Sequence, residues 1–147
     1  MPQNSPQGPR LFTVSEANAL IPFLEKGLSE LAAFRGEMRS LRKDIEVLSL
    51  ISASAAGTGN PDAAELRNKR KRYRFIAAEI EKLNTALDDI GCVVKHPDEG
   101  LVDFFHLRQG RLVFLCWKVG ETEVRFWHSL AGGFSARQSV DPPADRV

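Results

Sequence analysis

The apolar residues of this chain change period along its length, and each period predicts an element. Residues 1–10 are polar and carry three prolines, which predicts a disordered tail. Thr13-Val14-Ser15-Glu16 has the form of a capping box, so a helix starts near Val14. Pro22 lacks an amide donor and restrains Ile21, so a break is expected there, followed by a long helix from about Pro22 to Leu50. Its apolar residues Leu28, Leu31, Phe34, Met38, Leu41, Ile45 and Leu48 recur at steps of three and four, close to a heptad seam. Residues 52–61 are small and turn-forming. A second seam runs through Leu66, Tyr73, Ile76, Ile80, Leu83, Leu87 and Ile90 and stops at Gly91. Two helices of similar length with a short connector specify an antiparallel, coiled-coil-like hairpin over about 14–91, about 45 Å long at about 1.5 Å per residue. Phe75 and Ala78 widen the second stripe beyond the seam, so the hairpin of a second subunit is expected to cover it, giving a homodimer.

After Gly91 the period becomes two. Val93-Val94, Leu101–Leu107, Arg111–Lys118 and 123–129 read as strands of a three- to four-stranded antiparallel meander over about 92–130. Residues 131–140 read as a loop and 141–147 as a second disordered tail, leaving one α+β domain over 11–140. With Gln109-Gly110 as a two-residue loop, Asp103 falls opposite Cys116 and Phe105 opposite Phe114. With Gly120-Glu121 as the next loop, Cys116 falls opposite Arg125 and Phe114 opposite Trp127. One face then carries Asp103, Cys116 and Arg125. The other holds Val102, Phe104, Val113, Leu115, Trp117, Val124 and Phe126 as core, with His106 and His128 at its edge. A slip of one residue in the second turn would carry His128 to the Asp103 face.

Composition trims the possible functions. The net charge of +1 excludes a uniformly basic nucleic-acid binder, and no apolar run approaches a membrane span. Two cysteines do not make a disulfide framework, so free thiols in a reducing cytoplasm are expected. Six cations lie between Arg67 and Arg74, which makes nucleic acid a possible partner. Tyr73, the only aromatic ring of the run, sits on the seam, so a solvated flank paired with Glu37, Asp44 and Glu46 is favoured.

Several strings carry a family resemblance: Leu115-Cys116-Trp117-Lys118-Val119-Gly120-Glu121, Phe126-Trp127-His128, Ala131-Gly132-Gly133-Phe134 with Arg137, Gly100-Leu101-Val102-Asp103-Phe104, and Phe12-Thr13 with Ala19-Leu20-Ile21-Pro22. Together they resemble a bacterial family catalogued as domain of unknown function 2203, over about residues 12–140. The resemblance implies no activity. Lys95-His96-Pro97-Asp98-Glu99 departs from the simpler stretch usual there, which lowers the weight of His96.

The candidate site residues are His128, Arg137, Asp103, Arg125 and Glu121. His128 leads them, because it closes a strand beside the Gly132-Gly133 loop, and a histidine there can act as acid, base or ligand near neutral pH. Arg137 is its expected neighbour. Arg125 is the expected ion-pair partner of Asp103, and Glu121 lies at the far end of the strand, about 20 Å away. His128, Asp103 and His106 are metal-ligand types, but no pair has diagnostic spacing, so no metal is assigned and the cofactor stays unknown. Cys116 reads as a small core thiol. The favoured function is a non-catalytic interaction or ligand-binding module. The alternative is a small enzyme or metal-binding protein with its site near Asp103, His128 and Arg137.

Overall fold

Thr13 opens the first helix in the way its sequence demands. In the computed structural model, which describes residues 8–54 and 61–140, the Thr13 hydroxyl accepts from the Glu16 amide at 3.0 Å, and the Thr13 amide donates back to the Glu16 carboxylate at 2.9 Å. Helix α1 (Val14–Ala19) is interrupted at Leu20, and α2 (Ile21–Ser54) begins at once. Pro22 therefore stands in the first turn of α2, where no helical donor is required. Helix α3 (Pro61–Ile90) ends at Gly91, whose φ of 100° is the left-handed cap that only glycine adopts freely. Of the expected tail at 1–10 and connector at 52–61, residues 1–7 and 55–60 lie outside the described residues, as does the tail at 141–147; Arg10 is instead tied to the Ile90 carbonyl at 2.9 Å, and 52–54 and 61 are helical. Among the described residues no helix is long and apolar enough to cross a membrane.

The chain forms two compact units. Ser29–Thr85 carries the greater part of α2 and α3. There Leu31, Leu41, Leu48, Leu66 and Ile76 of the two seams are buried. Cross-helix contacts confirm antiparallel packing, since Glu37 meets Arg72 and Asp44 meets Lys69. The same contacts absorb part of the basic run, and Arg70 adds a bond to Ser49. Phe75 is 50% exposed, with the Arg72 guanidinium over its ring.

The other unit contains α1, the first residues of α2, the last of α3 and an antiparallel sheet. The sheet has five strands in sequential order, not three or four: β1 (Val93–His96), β2 (Leu101–Arg108), β3 (Arg111–Lys118), β4 (Phe126–His128) and β5 (Gln138–Ser139). The segment 131–140 is accordingly not all loop. It holds a 3₁₀ turn at Phe134–Ala136 and the fifth strand.

The β2–β3 register is the one expected, with Asp103 opposite Cys116 and Phe105 opposite Phe114. Positive φ at Gln109 (52°) and Gly110 (77°) gives the two-residue turn that fixes it. The β3–β4 register differs from expectation by one residue. Cys116 faces Phe126, and Phe114 faces His128, so Arg125 and Trp127 do not hold the places expected of them. The tight Gly120-Glu121 hairpin does not form because the ladder is cut short. The Glu121 carboxylate takes the Lys118 amide at 2.8 Å, and Val124 is drawn away from the sheet to donate its amide to the Asn18 side chain. Phe126 thereby leaves the apolar face. That face keeps Val102, Phe104, Leu115 and Trp117, each 0% exposed, and Phe12 packs edge-on against Phe104 with ring centroids 5.2 Å apart. Each such side chain contributes about 1.5–3 kcal/mol by leaving water.

Candidate metal centre

The one-residue shift decides the chemistry of the opposite face. Asp103 on β2, Cys116 on β3 and His128 on β4 now share it, and all three are buried. One ligand-type atom from each lies within 4.8 Å of the others. His128 Nε2 and Asp103 Oδ2 are 3.2 Å apart although their strands flank β3, because both side chains reach across it.

The other ring nitrogen of His128 fixes its tautomer. Nδ1 is 2.7 Å from the Ser129 carbonyl oxygen. A carbonyl only accepts, so Nδ1 carries the proton. In the neutral imidazole Nε2 therefore presents a lone pair, and it presents it to a carboxylate. Two acceptors at 3.2 Å require a positive charge between or beside them, either a proton or a metal ion. A histidine that donates one N–H to a backbone carbonyl while aiming the other nitrogen at acidic and thiol groups has the orientation typical of a metal ligand.

Cys116 completes the cluster. Burial pushes its thiol up to about 12, the negative charge of Asp103 adds to the shift, and the Arg137 cation opposes it. The thiol is thus neutral in the metal-free protein at physiological pH and is not a free nucleophile. The strand beneath it is held by Arg137, whose Nη2 sits 2.8 Å from both Glu121 oxygens and 3.3 Å from the Cys116 carbonyl. Phe126 and Phe134 lie against that guanidinium at 4.0 and 4.5 Å. Glu121 and Arg137 therefore bind each other and brace β3, and Arg137 does not pair with His128.

A cavity of about 190 Å³ opens on the cluster, with Asp103, Cys116 and His128 on its wall together with Lys95, His96 and Phe134. Lys95 Nζ stands 4.0 Å from Asp103 Oδ2 and 4.8 Å from the centre of the Phe114 ring. A larger hollow of about 440 Å³ near Arg108, Arg111 and Trp127 is lined by no acid, histidine or thiol.

The remaining expected residues lie elsewhere. Arg125 pairs with Glu123 at 3.0 Å on the surface, and Asp103 has His128 as its partner instead. The ring of His106, which stands opposite Val113 and not on the Asp103 face, meets the Phe12 carbonyl oxygen at 2.7 Å. Lys95 and Cys116 are the two cluster residues that sequence reasoning left out of the site. Cys116 was within reach, because its register opposite Asp103 placed a thiol beside a buried acid. Lys95 lies two residues after Val93, which pairs with Asp103, but in the sequence only Val93-Val94 reads as strand, which gives Lys95 no face.

The sequence profile of one protein family matches residues 10–140, and its description reads uncharacterized conserved protein (DUF2203). No curated protein and no solved structure matches the chain.

Proposed function

The chain belongs to the DUF2203 family, and since that family's description names no activity we propose, from the site alone, that the protein binds a zinc-class divalent metal ion through Asp103, Cys116 and His128. The observation that carries this reading is the pair of acceptors, His128 Nε2 and Asp103 Oδ2, 3.2 Å apart beside a buried sulfur. One thiolate, one imidazole and one carboxylate suit Zn²⁺ better than harder ions, and three protein ligands leave a fourth position open. Donors around a tetrahedral zinc lie about 3.5 Å apart, close to the 3.2 Å between His128 Nε2 and Asp103 Oδ2 and inside the 4.8 Å that bounds the cluster. All three residues line one cavity, which leaves room for a further ligand beside them.

The test is a titration of metal-free protein with zinc against a competing chelator. About one ion per chain is expected, with affinity falling at least about tenfold in His128→Ala and in Cys116→Ser. Binding that is unaffected by both substitutions overturns the proposal. Absence of binding also overturns it, and leaves a proton shared between His128 and Asp103 as the stabilising charge.

We further infer self-association through the helices. Val47, Leu50 and Ile51 stand at helical spacing and are 55%, 72% and 43% exposed, which supports burial against a second coiled hairpin. Sedimentation as a monomer at micromolar concentration would contradict it. The two free thiols support a reducing, cytoplasmic setting. Nucleic-acid binding is not favoured, because Lys69, Arg70 and Arg72 already have partners on α2.

A further inference from the structure

We propose that the cavity beside the cluster binds a small monoanionic oxyanion, a carboxylate or bicarbonate, with one oxygen at the open metal position and the other on Lys95. The inference rests on the metal reading above and adds the ligand class to it.

Size sets the first limit. A cavity of about 190 Å³ holds on the order of six water-sized groups at about 30 Å³ each. An anion of a few non-hydrogen atoms fits it whole, whereas a nucleotide or a sugar phosphate would have to extend out of its mouth.

Charge sets the second. With Asp103 as carboxylate and Cys116 as thiolate, a divalent ion is neutralised by its own ligands. Among the described residues Asp103 is the only carboxylate on the cavity wall, and Lys95 is its only permanently cationic residue. The loaded site therefore keeps an excess of one positive charge, which selects a monoanion over a dianion.

Position sets the third. Lys95 Nζ already stands 4.0 Å from Asp103 Oδ2, held over the Phe114 ring. When the metal takes the Asp103 oxygen, the ammonium loses that partner and remains beside the open position. A planar anion with two oxygens on one carbon spans such a metal–ammonium pair. Leu101 and Phe134 add apolar surface to the lining, which suits the short hydrocarbon body of a carboxylate.

The test uses the full chain loaded with cobalt, whose visible spectrum reports a change at the fourth ligand. Acetate and bicarbonate are added separately to the loaded wild type. A saturable spectral change is expected with at least one of them. Lys95→Met should weaken that apparent affinity about tenfold, the loss of one charge-assisted contact, while cobalt affinity does not fall, since the cation that competes for Asp103 is gone, and Lys95→Arg restores most of the response. A spectrum insensitive to both anions overturns the inference. So does equal affinity in Lys95→Met, or inorganic phosphate binding more tightly than either monoanion. Failure of cobalt to bind overturns the metal reading itself, and is seen before any anion is added.

Discussion

Each face of the sheet buries some side chains almost completely, by opposite means. On one, Phe104, Leu115 and Trp117 are wholly inaccessible because water rejects them. On the other, Asp103 and His128 are each 2% exposed although water would hold them strongly. The apolar face is stable by its composition. The polar face is tolerable only through specific partners: His128 with the Ser129 carbonyl and Asp103, and Asp103 also with Lys95. Burial that opposes solvation marks a site, whereas burial that follows it marks a core. The faces should therefore respond differently to substitution, one in stability and the other in binding.

The largest effect is expected on the apolar face. Trp117→Ala removes the largest fully buried side chain and should lower stability by about 3–5 kcal/mol, read from the denaturant midpoint. A loss below about 1 kcal/mol would break the comparison.

Alkali gives the next effect. Cys92 is buried, and desolvation pushes its thiol up to about 11 from an ordinary value near 9. In the unfolded chain the thiol ionises first, so its contribution is fully present below about pH 9 and is lost as pH rises to about 11. The loss amounts to about 2 kcal/mol. Denaturation across that window should show a steeper decline in wild type than in Cys92→Ala, and equal slopes would remove Cys92 from the account.

Asp103→Asn sharpens the contrast from the polar side. The new amide can donate to His128 Nε2 without a buried charge, so metal-free stability should change by no more than about 1 kcal/mol. Zinc affinity should nevertheless collapse. A variant that keeps both its stability and its zinc would return Asp103 to a structural role.

Arg125→Ala is the smallest. The side chain is exposed and its partner is Glu123, so stability and zinc affinity should both be unchanged, stability within about 0.5 kcal/mol. A large loss would restore the pairing with Asp103 that the sequence suggested.

How far each face could be read in the sequence follows from what fixes its register. Gln109-Gly110 is a two-residue turn with positive φ at both positions, so the β2–β3 pairing, and with it the meeting of Asp103 and Cys116, was legible. The next connection offers Gly120 as an equally plausible turn residue, yet the ladder ends where the Glu121 side chain occupies the Lys118 amide. Beyond it the Val124 amide goes to the Asn18 side chain, 106 residues away, a tertiary choice with no local signature. It changes the parity of the pairing, and parity alone sends His128 to the face of Asp103 instead of the core. The site was therefore visible as residue types, and as a constellation only in the alternative register one residue away. Strand β5 escaped for a different reason, since two polar residues, Gln138 and Ser139, carry no periodicity. The helices were the most legible part, because the Thr13–Glu16 box and Gly91 act through local backbone geometry.

The central claim is that the polar face is buried in order to hold a metal ion. X-ray absorption at the zinc edge of the loaded protein tests it most directly. The account predicts one sulfur at about 2.3 Å and nitrogen or oxygen neighbours at about 2.0–2.2 Å, four in all, with the sulfur shell absent in Cys116→Ser. A zinc environment without sulfur in the wild-type protein would contradict it.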